Sequence, residues 1–308
     1  VSIEGKVRFF IWTEVDYVSI VEASIYAHYP TVEIFEVPDY TGHVPYGLAN
    51  NWTLYGTEFG LVKPDPYPIK TYVDYNLDQD PKEEFKIDPL TQVLEFLGSL
   101  KKDEQVWIQI LIRATKETNK RAGGLFGKPQ DWKREGAELV KKLREEYGKQ
   151  DPKPGQTFAF DKPLTKGQTE EISAIERSVA KLGFDTGIRA IYLAKSESFR
   201  NVNISAMLGV LRQFNSNILN GFKGGLNVTD FDYPWEDFQG IRLAWRKAAI
   251  WNAYVRRSYF HPPYKRKWFV LNQEELATIF HFPGRVAETP TFERIDSKKA
   301  EPPANLPI

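Results

Sequence analysis

The segment Gln105–Arg113 alternates between two faces with the period of two that is typical of a β-strand with a buried face. Four apolar residues fall on one of these faces: Val106, Ile108, Ile110 and Ile112. An apolar strand face has to be covered, so the rest of the chain must supply partner strands and at least one layer of helices.

The segments before Gln105 have the residue patterns of short strands and helices. Val32–Val37 alternates apolar and acidic residues, and Asp88 followed by Pro89 is a typical helix N-terminus. In chain order we predict a strand at Lys6–Thr13, a helix from Asp16 to Tyr29, strands at Val32–Val37, Glu58–Val62 and Lys70–Tyr75, and a helix from Asp88 to Leu97. With Gln105–Arg113 as the last strand, this order is that of a ferredoxin-like βαββαβ sandwich, and the predicted fold class is α+β.

The remainder of the chain has a similar pattern, which predicts a second, similar α/β module. The predicted elements are helices at Asp131–Tyr147, Glu170–Leu182, Ile204–Phe214 and Phe238–Arg257, and strands at Gly187–Ala194 and Gly225–Phe231. We therefore divide the chain into a ferredoxin-like module at 1–115, a charged helix with linkers at 116–168, the second module at 169–268, and a short helix with an extended linker at 269–308.

The residue types exclude several kinds of catalytic and metal site. The chain has no Cys, which removes thiolate zinc sites, iron–sulfur clusters and Cys nucleophiles. The segment Gly123–Pro129 lacks the glycine spacing of a phosphate-binding loop, and Pro129 stands where that loop needs Ser or Thr. The four histidines share no metal-ligand spacing: His28, His43, His261 and His281. We predict no catalytic, cofactor-binding or metal-binding residue in this chain.

Charge is distributed unevenly along the chain. The 41 basic and 41 acidic residues cancel, but residues 33–104 hold 14 acidic residues against 6 basic ones. Residues 242–267 hold eight basic residues and no acidic one. One acidic cluster lies beside lysines and is interpreted as a solvated loop: Asp65, Asp74, Asp78, Asp80, Glu83 and Glu84.

The basic stretch near the end of the chain is the best candidate for a functional surface. Aromatic residues interleave with its Arg and Lys residues, and this combination suits single-stranded nucleic acid, because cations neutralise phosphates and aromatic rings stack on bases. The alternatives are an electrostatic docking face for another domain or a membrane surface, and a solvated helix face above a buried stripe that includes Ile241 and Trp245. The candidate residues are Arg242, Arg246, Lys247, Arg256, Arg257, Lys265, Arg266, Lys267 and Trp268.

The last part of the chain carries the most specific motif. Residues 274–283 read EELATIFHFP, and residues 297–303 read SKKAEPP. These elements resemble the segment that precedes the motor in conjugative coupling proteins of the TraG type and in HerA-like ATPases of type IV secretion, in a variant found in candidate-phyla bacteria. Further matches are Val7–Ile11, Ile25–Pro30, Phe214–Ser216 and Asn220–Phe222, so the resemblance touches most of the chain.

The resemblance implies a non-catalytic accessory or assembly domain of a membrane-associated type IV secretion or conjugation ATPase, which would position the motor for translocation of DNA or protein. It implies a downstream P-loop ATPase domain of the same protein, other copies in a homo-oligomer, DNA as a further partner, and a membrane anchor upstream of Val1. We expect a soluble fragment at the cytoplasmic face of the membrane. A single-stranded nucleic-acid-binding module and a free-standing enzyme are the alternative functions.

Overall fold

An antiparallel sheet of seven strands organises the chain. The structure, a computed structural model, describes residues 1–30, 32–44, 51–75, 77, 88–114, 120–121, 130–148, 163–231 and 233–283. In chain order its strands are β1 (Ser2–Ile3), β2 (Lys6–Val7), β3 (Trp52–Leu61), β4 (Glu104–Arg113), β5 (Lys120–Arg121), β6 (Gln130–Asp131), β7 (Gly183–Lys195), β8 (Phe222–Leu226) and β9 (Phe269–Asn272). The pair β5–β6 forms a separate two-stranded sheet.

Helices follow most strands along the chain, and several of them begin at a side chain that caps the helix. They are α1 (Val18–His28), α2 (Thr91–Gly98), α3 (Trp132–Gly148), α4 (Lys166–Ala180), α5 (Asn201–Gly209), α6 (Ile241–Val255) and α7 (Gln273–Ile279). Thr165 and Gln168 form a capping box at the start of α4, and Asn272 and Glu275 form another at the start of α7.

Strand β7 lies at the centre of the sheet. One edge pairs with β4 from Asp185 to Ala194, and the other edge is shared by β3, at Ile188–Lys195, and β9, at Gly183–Thr186. The strand order is β2-β1-β4-β7-β3-β8. Because helices cover both faces of β7, the strand is buried at nearly every position.

The sheet separates two apolar cores. The larger core lies under α2, α5 and α7, which contribute Leu94, Met207 and Ile279. The smaller core lies on the opposite face, where Ile250 and Tyr254 of α6 pack on the sheet. Helices α3 and α4 pack against each other and against Tyr67 in a third cluster. The sheet is therefore the middle layer of three.

Several sequence predictions hold, and three predicted strands are wrong. The mixed α/β class is confirmed, and so are α1, α2, α3 and the strands at β4 and β7. The predicted strand Lys6–Thr13 ends at Val7, and Val32–Val37 pairs with no strand among the described residues. Lys70–Tyr75 forms a turn, in which the main-chain N–H of Thr71 donates to Asp74. A strand needs a hydrogen-bonded neighbour, which an alternating pattern alone does not supply.

The specific prediction of two successive ferredoxin-like modules is not confirmed. Strand β4 comes from the first predicted module and β7 from the second, yet they are hydrogen-bonded neighbours over ten residue pairs. Strand β9 of the last predicted segment also joins this sheet, and the short helix α7 that follows it packs in the larger core. Strands from most of the chain therefore share one hydrogen-bonded layer.

Candidate docking surfaces

The first half of α6 and the loop before it expose large apolar side chains. The exposed fractions are 77% for Trp235, 73% for Trp245 and 66% for Ile241. Tyr233 stacks on Trp235 with the ring centroids 4.7 Å apart. We call Tyr233, Trp235, Ile241, Arg242 and Trp245 the α6 surface.

The prediction that Ile241 and Trp245 belong to a buried stripe is wrong, because only the second half of α6 rests on the sheet. Ile250 lies directly over Gly56 of β3, where a Cβ atom would come within 2.7 Å of its side chain. Ala253 and Tyr254 are buried one turn further along. The first half of α6 extends past this contact, which leaves its apolar residues in solvent.

The basic residues beside the α6 surface hold the preceding loop in place. The guanidinium groups of Arg242 and Arg246 lie over the ring of Phe231, at 5.1 and 3.9 Å from its centroid. Arg242 also donates to the carbonyl of Glu236, and Arg246 donates to the carbonyl of Asp230. These cations are therefore partly used within the fold.

The other predicted residues lie at several separate places. Arg257, at the end of α6, pairs with Asp39 at 2.8 Å, and Arg266 pairs with the buried Glu58 at 3.2 Å.

The ammonium group of Lys265 lies 5.5 Å from the ring centroid of Trp268. Burial lowers the pKa of Lys247 in the middle of the helix. Two more candidates, Arg256 and Lys267, are exposed. The basic stretch is thus spread along α6, whose fifteen residues span about 22 Å, and along the segment after it.

A buried charge cluster under this segment was missed by sequence reasoning. Arg189 of β7 is fully buried and faces Glu58 of β3 in the strand register. Its Nη2 atom donates to the carbonyl of Ser258 at 2.5 Å, and the group lies 4.9 Å from the ring centroid of Tyr259. Its Nε and Nη1 atoms have no hydrogen-bond partner among the described residues. The signal was a single Arg within the apolar run of β7.

Burial and neighbouring charges act in opposite directions on this cluster. Burial lowers the pKa of Arg189, while the charge of Glu58 opposes that shift. Glu58 accepts hydrogen bonds from Asn227 and Arg266. The cluster therefore ties β3, β7 and the segment after α6 together, and we assign it a structural role.

The segment 11–39, which we call the N-terminal arm, forms a second apolar surface. Every one of the eleven residues of α1 is exposed or half-buried. The exposed fraction is 86% for Val15, 68% for Phe35 and 62% for Ile20. The other arm residues with large exposed apolar side chains are Ile11, Trp12, Tyr17, Val18, Tyr26 and Val37.

Aromatic contacts fix both ends of the arm to the body of the protein. On one side Phe9 packs against Phe280 and Phe282 at 5.8 and 5.6 Å between ring centroids. On the other side Tyr40 packs on Phe10 at 4.6 Å, and its hydroxyl lies 2.9 Å from that of Tyr254. Tyr29, directly after α1, also packs against Phe282 at 5.2 Å between ring centroids, so the arm is anchored at both ends and at the end of α1.

The arm and the α6 surface both lie among acidic residues. The arm holds six acidic residues and no Lys or Arg, and residues 230–246, which contain the α6 surface, hold four acidic residues and two Arg. The acidic arm residues are Glu14, Asp16, Glu22, Glu33, Glu36 and Asp39. The two apolar surfaces of the chain therefore do not differ in the sign of their charge.

The residues set aside in the sequence analysis have mainly structural surroundings. His281 pairs with Asp88 at 2.9 Å, and His28 bonds the carbonyl of Ser24. His261 is exposed, and the side chain of His43 lies outside the described part of the chain. Within the described part, no group of three or more His, Asp or Glu residues could hold a metal ion.

The predicted solvated acidic loop is wrong at Asp65, which is buried and accepts a hydrogen bond from the main-chain N–H of Val270 at 2.6 Å. Asp74 accepts a hydrogen bond within a turn. The other four residues of that cluster, and the segment Gly123–Pro129, lie outside the described residues.

Two further observations concern clefts and membrane insertion. A cleft of about 640 Å³ between the end of β3 and α3 is lined by both lysines and carboxylates, among them Lys223 and Glu138. None of the helices in the described ranges combines the length and apolarity needed to cross a bilayer.

These features define an α+β domain with a three-layer core and two exposed apolar surfaces. Residues 2–294 match a family described as a domain of unknown function, DUF8128, and the chain belongs to that family. Searches among curated proteins and among solved structures found no match. The similarity to TraG-type and HerA-like proteins stays a prediction from the sequence motifs.

Proposed function

We propose that this chain is a non-catalytic protein–protein assembly domain of a membrane-associated type IV secretion or conjugation ATPase, in which it positions the motor. The observation that carries the assembly role is the N-terminal arm. Its nine large apolar side chains are each at least 38% exposed and all lie between Ile11 and Val37. Transferring one such side chain from water into an interface contributes roughly 1.5–3 kcal/mol when burial is complete.

The second part of the proposal concerns the architecture that presents this surface. We propose that β3-α2-β4 and β7-α5-β8 form one ferredoxin-like unit, with α3 and α4 inserted between β4 and β7. The strand order β4-β7-β3-β8 supports this, and so does the position of α2 and α5 on the same face of the sheet. The opposite face is then available for α6.

Nucleic-acid binding by the α6 surface is less well supported than protein docking. The exposed Trp235 and Trp245 could stack on bases. However, Arg242 and Arg246 bond main-chain carbonyls, and Arg257 and Arg266 are in ion pairs. The basic residues available to phosphates are thus fewer than the sequence indicates.

The assembly role can be tested by site-specific photo-crosslinking in cells. A benzophenone amino acid at Phe35 is expected to form a protein adduct that mass spectrometry identifies. The control is the same replacement at Val202 of α5, whose exposed fraction of 65% is close to the 68% of Phe35. Equal adduct yields at both positions, or none at Phe35, would contradict the assembly role.

The motor-positioning part of the proposal has a separate test in the parent gene. We expect the coding sequence to continue past Ile308 into a GxxxxGK[ST] motif within a few dozen residues. A stop codon there, or an unrelated downstream domain, would remove the ATPase assignment. The docking surfaces could then not be explained by the positioning of a motor.

A further inference from the structure

We propose that the N-terminal arm docks α1 onto a protein partner whose apolar contact surface is bordered by Lys and Arg residues, with these cations placed mainly at the C-terminal end of α1. This inference rests on the assembly role proposed above and names the class of partner. It is carried by the exposure of α1, by the unpaired acidic residues of the arm, and by the position of those acids relative to the helix.

Helix α1 is apolar around most of its circumference, whereas a helix at the surface of a folded domain usually has one polar face. Its eleven residues read VSIVEASIYAH, in which Glu22 is the only acidic residue. Val21 and Ile25 are half-buried, but Ile20 and Tyr26 are exposed. The exposed side of α1 is therefore apolar as well, and covering it requires a second apolar surface.

The apolar content of the arm is sufficient for a specific interface. Nine large side chains of the arm are exposed. If each contributes on the order of 100 Å², about half the area of a full aromatic side chain, their sum is close to the ~800 Å² that each partner buries in a standard interface. A partner of ordinary interface size therefore covers the arm.

Most of the acidic residues of the arm lack a counter-charge within the described part of the chain. Asp39 pairs with Arg257 at 2.8 Å. Five other acids form no ion pair with any described residue, namely Glu14, Asp16, Glu22, Glu33 and Glu36. Covering the apolar residues between them brings these carboxylates close to the partner, and a carboxylate that loses water without gaining a cation is costly. A partner with Lys or Arg at the rim of its apolar surface avoids that cost.

The position of two acids relative to α1 indicates where these cations lie. An acid before a helix, such as Asp16, is already favoured by the positive end of the helix dipole. Glu33 and Glu36 instead follow the C-terminal end of α1, where a positive charge is favoured, and His28 is the only basic residue of the last turn. A Lys or Arg of the partner at this end is attracted both by the carboxylates and by the helix dipole.

The same charges disfavour other ligands that take up exposed apolar and aromatic residues. Phosphate groups of nucleic acids or anionic lipids would face the unpaired carboxylates, and the arm has no Lys or Arg to neutralise them. The arm of a second copy would bring a second set of the same acids into the contact, and like charges at an interface oppose association. The arm therefore fits a protein surface with a basic rim.

The test is photo-crosslinking in cells from a benzophenone amino acid at Ile20, on the exposed side of α1. The charge variant Glu33→Gln with Glu36→Gln removes two carboxylates that are distant from the crosslinker in sequence. Its yield of protein adduct is expected to fall at least about fivefold, because two attractive contacts are lost. Glu33→Lys with Glu36→Lys should lower the yield further, because the cations of the partner then meet like charges.

Mass spectrometry of the adduct supplies the second readout. The partner segment that carries the crosslink should contain more Lys and Arg than Asp and Glu. The matched control is Glu95→Gln with Glu197→Gln, which changes the net charge by the same amount at two exposed positions outside the arm. Its adduct yield should be unchanged, and circular dichroism of the purified variants should show that all of them remain folded.

Several outcomes would overturn the inference. Equal adduct yields from the charge variant and the control would show that the carboxylates do not contribute. A partner segment with an excess of acidic residues, or an adduct made of lipid or nucleic acid, would assign the arm to a different ligand. If Phe35 forms a protein adduct whose yield does not depend on Glu33 and Glu36, the assembly role stands and only the basic partner is wrong. No adduct at either Ile20 or Phe35 would contradict both.

Discussion

Strand β7 and helix α1 are both rich in apolar residues, yet they have opposite environments. In β7, Ile188, Ile191 and Tyr192 are fully buried. In α1, Val18, Ile20 and Tyr26 are 38%, 62% and 45% exposed. The difference does not lie in composition, but in what the rest of the chain places beside each element.

The neighbours of β7 come from the same chain. Strands β3, β4 and β9 satisfy its main-chain groups, while α6 and the helices of the larger core cover its two faces. In and beside the arm, Phe9, Tyr29 and Tyr40 pack against aromatic residues of the body, while the residues of α1 stay exposed or half-buried. An apolar sequence alone therefore does not show that a segment is buried within its own chain.

The largest expected effect comes from removing a matched Trp in each region. Trp107 of β4 is 0% exposed and packs against Tyr40, Trp251 and Tyr254, whereas Trp12 of the arm is 66% exposed. Trp107→Ala should lower the free energy of unfolding by about 3–5 kcal/mol. Trp12→Ala should change it by less than about 0.5 kcal/mol. Urea denaturation measures both, and similar losses would mean that the arm is part of the folded core.

The second expected effect concerns a buried carboxylate beside β7. Glu104, 1% exposed, accepts hydrogen bonds from Tyr192, Arg200 and Asn203. Burial favours the neutral acid, but the bonds from Arg200, Lys101 and Tyr192 outweigh it and lower the pKa of Glu104.

Replacing this carboxylate should be costly because charged donors lose their partner. Glu104→Gln should lower the free energy of unfolding at neutral pH by about 2–3 kcal/mol. Glu22→Gln in the arm is the matched control and should have little effect. The loss should shrink as pH falls below about 4, because a lowered folded-state pKa stabilises the fold only above the ordinary value. A constant loss at all pH values would show that charge is not the cause.

The smallest effect is a pH dependence at the contact between α2 and α7. Burial opposes a charged imidazole, but the hydrogen bond and charge of Asp88 outweigh it and raise the pKa of His281. Burial also raises the pKa of Glu275 to about 7, against the N–H groups of Asn272 and Ile69 that bond it. Each raised pKa contributes stability that is fully present below the unfolded-state pKa of that group. This contribution is lost as pH rises through the folded-state pKa of the group.

The free energy of unfolding should therefore fall as pH rises from about 5 to about 8. His281→Asn should cost about 1 kcal/mol near pH 6 and progressively less at higher pH. His28→Asn, in the exposed arm helix, is the control and should change the free energy of unfolding by less than about 0.5 kcal/mol. A variant profile parallel to that of wild type would contradict the role of His281.

The central strands were predictable because one or both faces of each strand are buried by other parts of the same chain. The alternation at Val106, Ile108 and Ile110 gave β4 to within one residue of its observed start. Val32–Val37 alternates as clearly, but no described strand offers it hydrogen bonds. Pattern identifies the face of a strand, and the partner depends on contacts far apart in sequence.

The candidate surfaces were only partly predictable for the same reason. The sequence located the basic, aromatic stretch, but Ile241 and Trp245 looked buried because their spacing fits a core stripe. Their exposure depends on where α6 leaves the sheet, which Gly56 and Ile250 determine from opposite ends of the chain. The burial of Arg189 likewise depends on its register opposite Glu58.

The pairing of β9 with β7 has a mechanical consequence. Residues after α7 connect to the sheet through β9, which forms four residue pairs with the central strand β7. A pulling force applied beyond Pro283 would first load α7 and then these central hydrogen bonds. A displacement of the residues after Pro283 would thus be transmitted to β7, the strand that supports α6. A force on this end of the chain would therefore be coupled to the position of the α6 surface.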